Sequence, residues 1–222
     1  MKTMLLAFAA VAAFAVVPAN AVTITTLYNT GVAADGTIAV GNGADVHWTM
    51  NDGAVFTGGT NGNFPIGPWL ADDTNSRWLT PSANAADSFD ATTDGLYTYS
   101  ETFSLAGINA ATASFTGRFA VDNSVDTILL NGVALAGSGG TFTGFTSFSS
   151  AGGTFNAGNN TLTFIVRNFA SASGNPTGLR VEVAGVGDPI SAIPEPSTWA
   201  MLVMGMGLTG FAARRRKAAL AS

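Results

Sequence analysis

Apolar and polar residues alternate with a period of two along most of the central chain, and that period predicts strands. Leu96 to Phe103 sets Tyr97, Tyr99 and Phe103 on one face against Thr98, Ser100 and Thr102. Glu101 shares the aromatic face and is expected near its rim. Ser114 to Val121 places Phe115, Phe119 and Val121 together. Val125 to Leu130 leads through Asn131-Gly132 into Val133 to Leu135; Asn-Gly between apolar runs predicts a two-residue hairpin, because both turn positions need positive φ. Thr161 to Arg167 alternates Leu162, Phe164 and Val166 against Thr163, Ile165 and Arg167, and Ile165 implies a partly covered outer face. Leu179 to Val183 turns Leu179, Val181 and Val183 inward and Arg180 and Glu182 outward. Val22 to Leu27 and Asp45 to Met50 are two further strands, and Trp48 is assigned to the core.

No helical stripe of useful length interrupts this pattern. Gly137 to Asn160 is rich in Gly, Ser and Thr, but Phe142, Phe145, Phe148 and Phe155 recur too often for a disordered linker, so strands with glycine turns are expected there. Short strands between turn residues predict an all-β sandwich of the jelly-roll kind over residues 22–185, followed by a linker at 186–193.

The two ends of the chain break the pattern. Met1 to Ala21 has Lys2, an apolar core from Met4 to Val17 and the A-x-A site Ala19-Asn20-Ala21. That is the layout of a secretory signal peptide cleaved after Ala21, which implies Sec export and signal peptidase. Near the other end, Ser197 to Ala213 is 17 residues without a charge. As a helix it covers about 26 Å, the lower limit for a bilayer core. Pro194 and Pro196 break the chain before it, and Trp199 sits where an interfacial aromatic belongs. Arg214, Arg215, Arg216 and Lys217 form a basic stop that stays cytoplasmic, so one short transmembrane helix is expected, with a cytoplasmic tail at 218–222. Gly205-Met206-Gly207-Leu208-Thr209-Gly210 fits G-x-G-x-x-G, but inside an apolar run it meets no pyrophosphate, and its small residues suit close helix packing.

Pro194-Glu195-Pro196, then Trp199-Ala200, the apolar stretch and the basic stop resemble the PEP-CTERM sorting signal of Gram-negative envelope proteins, in its Trp-Ala variant. The resemblance covers residues 194–217. It implies export across the inner membrane, transient anchoring, and recognition of Pro194, Glu195 and Pro196 by an exosortase. The processed body would then reside at the cell surface or outside the cell, in association with exopolysaccharide. In that reaction the chain is the substrate.

Charge narrows what the body does. Between Val22 and Ile193 there are thirteen carboxylates against four cations, Arg77, Arg118, Arg167 and Arg180, a formal charge of −9. Such a surface repels nucleic acid. There is no cysteine, hence no thiol nucleophile and no cysteine metal site. His47 is the only histidine, and no serine stands in a nucleophile elbow to pair with it. Glu101 and Glu182 are the body's only glutamates, and no spacing brings them together as an acid–base pair. No catalytic residue is assigned, and a non-enzyme is expected.

A second likeness spans residues 75–185. Phe119-Ala120-Val121-Asp122-Asn123, Ile128-Leu129-Leu130-Asn131-Gly132, Gly158-Asn159-Asn160-Thr161-Leu162 and Gly178-Leu179-Arg180-Val181-Glu182-Val183 are similar in order to galactose-binding-like jelly rolls, including accessory sugar-binding domains of glycosidases. It implies the fold first and carbohydrate binding second, and it carries over no ligand residue.

Two kinds of candidate site remain. Trp69 follows Gly67-Pro68 and Trp78 follows a polar loop; exposed indoles there would stack on sugar rings, and core packing is the competing reading. Asp72 and Asp73 with Asn75, and Asp122 with Asn123 and Asp126, offer the oxygens calcium takes, whereas solvated turns explain the same residues. No other cofactor is expected.

Overall fold

The computed structural model describes residues 21–58, 67, 69–190 and 203–206. The signal peptide through Asn20, Pro194, Glu195, Pro196, Trp199, Ala200 and the basic stop Arg214–Lys217 lie outside them. The chain divides into two units, Met1–Pro189 and Ile190–Ser222. In the second, Val203–Met206 is helical. No described helix is long and apolar enough to cross a membrane.

The first unit is all-β, as its alternation predicts. Its strands are β1 (Val22–Thr23), β2 (Ala44–Met50), β3 (Gly53–Thr57), β4 (Leu79–Thr80), β5 (Gly95–Ser104), β6 (Ser114–Asp122), β7 (Ser124–Leu130), β8 (Val133–Ala134), β9 (Thr146–Ser149), β10 (Asn159–Asn168) and β11 (Gly178–Gly187). They pair in the order β8-β7-β10-β5-β2-β3-β4-β11-β6-β9, with β1 also on β11. The path folds over at the short strands β3 and β4. Phe164 of β10 therefore meets Phe119 of β6 and Phe148 of β9, with ring centroids 5.7 and 5.2 Å apart, although five strands separate β10 from β6 along the sheet. Two facing layers result, β8-β7-β10-β5-β2-β3 and β4-β11-β6-β9. Between them lie Trp48, Tyr99, Phe103, Phe115, Phe119, Leu162, Phe164 and Val181, all buried. These are the residues that the period of two turns inward.

The Asn131-Gly132 hairpin is present, with φ of 53° and 81°. A second tight turn, Asn51-Asp52 (φ 48° and 60°), joins β2 to β3.

Several elements depart from the sequence reading. The first strand was expected to reach Leu27 but ends at Thr23. Ile24 and Leu27 drop into the core over Gly185, which has no side chain to keep them out. Gly137–Asn160 contains one strand of length, β9, and is otherwise turns and bridges until β10 begins at Asn159. The expected linker begins late: β11 runs to Gly187, paired with Val22 of β1, and Pro189 bridges Ile108. Glu101 is not at a rim. It is 1% exposed, opposite Trp48 on β2. Arg180 does point outward from β11, yet it is 0% exposed, because a third layer covers that face.

That layer is the segment around residues 69–78. Trp69, Trp78 and Ala120 form a second apolar cluster with Leu70, Phe142 and Phe145, on the outer side of β6 and β11. A strand pattern cannot announce such a cover, since the covering residues lie about a hundred positions away from β11.

Candidate functional site

Register places the outward residues of β9, β6 and β11 in rows. Ser147, Arg118 and Glu182 stand side by side in one row, and Ser149, Thr116 and Ala184 in the next. The first row is long-chained and charged; the second is small. A depression of about 590 Å³ follows from that difference, lined by Ser147, Arg118 and Glu182, by Thr116 and Ala184, and by Asn29 and Asn75. It adjoins a second depression of about 310 Å³, sharing Asn29, Asn75 and Val183 with it. Ile38 and Thr74 link that one to a third, of about 560 Å³, beside Asp72 and Arg77. Neighbouring depressions thus share wall residues along one open groove-like face.

Its electrostatics are organised by three of the body's four arginines. Glu182 joins two of them: its Oε2 accepts from Arg118 Nε and Nη2 at 2.8 and 2.7 Å, and its Oε1 lies 3.5 Å from Arg180 Nη2. Ser76 Oγ donates to Glu182 Oε1 at 2.9 Å and accepts from Arg180 Nε at 2.7 Å. Arg180 also pairs with Asp73 at 2.9 Å and donates to the Ala71 carbonyl. Both guanidinium groups lie over the Phe145 ring, Arg118 at 4.2 Å and Arg180 at 5.1 Å. Arg77 holds Asp72 at 3.3 Å and donates to the carbonyls of Ala39, Gly41 and Gly58, which ties the far wall of the groove together.

The candidate residues fall into place differently from the sequence expectation. Trp69 and Trp78 are not exposed platforms: they are 7% and 0% exposed and pack on each other with ring centroids 4.4 Å apart. Trp78 Nε1 donates to the Leu70 carbonyl. Core packing wins because this pair seals the third layer.

The four aspartates do not gather. Asp72 and Asp73 are taken by Arg77 and Arg180, and Asp126 by Arg167 at 2.6 Å. Asp122 is buried beside Trp69 and accepts from Asn123 Nδ2; burial, opposed by the Trp69 hydrogen bond, pushes its carboxyl up to about 6. Burial also raises Asp72. Burial works the same way on Asp73, but the Asn75 amide and Arg180 outweigh it and the net shift is downward. Among the described residues, no three acidic or histidine side chains converge on a point that would hold a metal.

Glu101 and Glu182 occupy different faces. Glu101 lies inside the core, where its Oε1 accepts the Tyr28 amide at 2.6 Å; Glu182 lies in the groove. Burial raises the Glu101 carboxyl well above its ordinary range, the Tyr28 amide opposes this, and the Asp45 charge adds to it. His47 stacks on Tyr28 at 3.7 Å, and its Nε2 lies 3.3 Å from the Ala33 carbonyl.

Of the groove's own residues, Asn75 was read from sequence only as a calcium-loop oxygen, and Arg118, Asn29, Thr116 and Ser147 were not assigned to a site. One signal was available: a body this acidic has only four cations, and Arg118 and Arg180 both fall on outward positions of adjacent strands.

Residues 192–217 match the PEP-CTERM protein-sorting motif family. No curated protein matches the chain. Among solved structures, it is similar to the family 11 carbohydrate-binding module of the cellulosomal cellulase Lic26A-Cel5E of Clostridium thermocellum, at 14% identity and a TM-score of 0.33, covering 69% of this chain and 98% of the module. The same organism's family 11 module in complex with a β-1,3-1,4-mixed-linked tetrasaccharide gives 12% identity and 0.34, over 69% and 99%. The CBM36-1 domain of a multidomain xylanase from the hindgut metagenome of Trinervitermes trinervoides gives 11% and 0.27, over 78% and 98%.

Proposed function

We propose that this chain, which carries a PEP-CTERM sorting motif, is exported and processed at its tail by an exosortase, and that its body is a non-catalytic module holding glycan at the cell surface or in the exopolysaccharide matrix. The observation that carries the glycan reading is the groove: a guanidinium fixed by Glu182, an amide and several hydroxyls line adjoining open depressions of about 590, 310 and 560 Å³. Such groups donate and accept to sugar hydroxyls, and a fixed guanidinium loses little freedom on binding. Non-catalysis is supported by the separation of the two glutamates, one sealed in the core.

The test is retention of the full chain, in a sugar-free zwitterionic detergent, on the exopolysaccharide of its own host. Retention by the wild type that is lost in Arg118→Ala and in Asn75→Ala supports the reading. Equal passage of all three proteins through the matrix sinks it. A chelator should leave retention unchanged, because arginines already occupy Asp72, Asp73 and Asp126.

A structural surface protein without a small ligand is the second reading. The outer face of β5 and β10 favours it: Ser100 and Thr163 lie 3.1 Å apart and Thr102 and Thr161 3.4 Å apart, in an uncharged hydroxyl ladder suited to packing against a copy. Concentration-dependent sedimentation of the full chain would support it.

A further inference from the structure

We infer that the groove takes an uncharged polysaccharide, and not one bearing uronate or sulfate groups; this rests on the glycan reading above and names the class of glycan. Every cation along the groove is already answered by a carboxylate. Arg77 pairs with Asp72, Arg118 with Glu182, and Arg180 with Asp73 and Glu182. The side chain of Arg180 is 0% exposed and that of Arg77 14%, so neither reaches a ligand; only Arg118, at 48%, does. An anionic polymer would have to draw Arg118 away from Glu182. It would also approach a body of charge −9, whose repulsion reaches about 10 Å at ordinary ionic strength.

What remains on offer is neutral. Thr116, Ser147, Thr74 and the Asn75 side chain line the groove, and no hydrogen bond engages their side chains among the described residues. Hydroxyls and amides both donate and accept, as the hydroxyls of a neutral sugar do; a carboxylate only accepts. Ala184, which is exposed in the groove, supplies apolar surface of the kind that sugar C–H faces need.

The experiment measures binding of the full chain, in a sugar-free zwitterionic detergent, to two sets of soluble polymers. A neutral glucan, a galactomannan and a xylan form one set; alginate and polygalacturonate form the other. Each is titrated at low and high salt. The expected result is binding to a neutral polymer, changed less than about twofold by salt, with no binding to the polyuronates. Arg118→Gln should weaken neutral binding about tenfold, the value of one charge-assisted hydrogen bond. Glu182→Gln should gain polyuronate binding, because it frees Arg118, the exposed arginine of the groove; circular dichroism confirms the fold of both variants. Polyuronate binding by the wild type that falls steeply with salt overturns the inference and leaves the glycan reading standing. Failure to bind any polymer removes both. Neutral binding that ignores Arg118→Gln removes the groove as the site.

Discussion

Arg180 stands fully buried on the outer face of β11 with its Nη2 2.9 Å from Asp73, which lies in the segment that covers it. The arginine is thus the rivet between the sheet and its third layer. Asp73 is 42% exposed and Glu182 keeps Arg118, so loss of the arginine chiefly leaves the Ser76 hydroxyl and the Ala71 carbonyl without their donor, at a cost of about 1–3 kcal/mol. Arg180→Ala is therefore expected to lower stability by that amount in urea denaturation and to increase proteolysis around residues 69–78. An unchanged midpoint would show that the third layer holds without it.

Glu101 predicts a pH dependence. Its folded-state carboxyl is raised well above the ordinary value of 4.5, so the folded chain holds a proton that the unfolded chain has lost. Stability is greatest below that ordinary value and declines as pH rises above it. Glu101→Gln keeps an acceptor for the Tyr28 amide and cannot ionise. The variant should be the more stable one at neutral and alkaline pH, and its stability should vary less with pH. A parallel decline in wild type and variant would refute this.

Asp122 acts in the same direction over a bounded window. Its carboxyl rises from 3.8 to about 6, so its contribution is lost between those values. Asp122→Asn should make the decline below pH 6 shallower, leaving there and above it only the slope that Glu101 contributes. Thermal melts of both single variants and the double variant across pH separate the two groups.

Gly117 in β6 allows close approach. A Cβ there would come within 2.6 Å of the Glu182 carbonyl and 2.5 Å of the Phe148 ring. Gly117→Ala forces β6 and β11 apart behind the groove, and overpacking of this kind costs about 1–3 kcal/mol. Both the melting temperature and glycan retention should fall. A variant as stable as wild type would show that Phe148 yields freely.

Much of the architecture is legible in the sequence. Phe115, Phe119 and Val121, or Leu162, Phe164 and Val166, announce their faces because side-chain direction in a strand alternates residue by residue. Asn131-Gly132 announces its hairpin because its neighbours' twist demands positive φ. Glu101 misled because alternation gives the face a residue points to and says nothing about depth: the same parity serves a rim and a core centre. Trp69 and Trp78 misled because a loop position looks exposed until something is found beneath it.

By itself the sequence determined the inward faces, the tight turn at Asn131-Gly132, the acidic balance of the body and the order of signals in its tail. Each is a property of adjacent residues or of composition. Tertiary structure alone decided that Arg118 meets Glu182, 64 residues away, that segment 69–78 buries Arg180, and that the small row Thr116–Ala184 opens a groove beside a charged one. Those outcomes depend on which distant strands pair and in what register, and the backbone hydrogen bonds that pair strands are the same for every residue type.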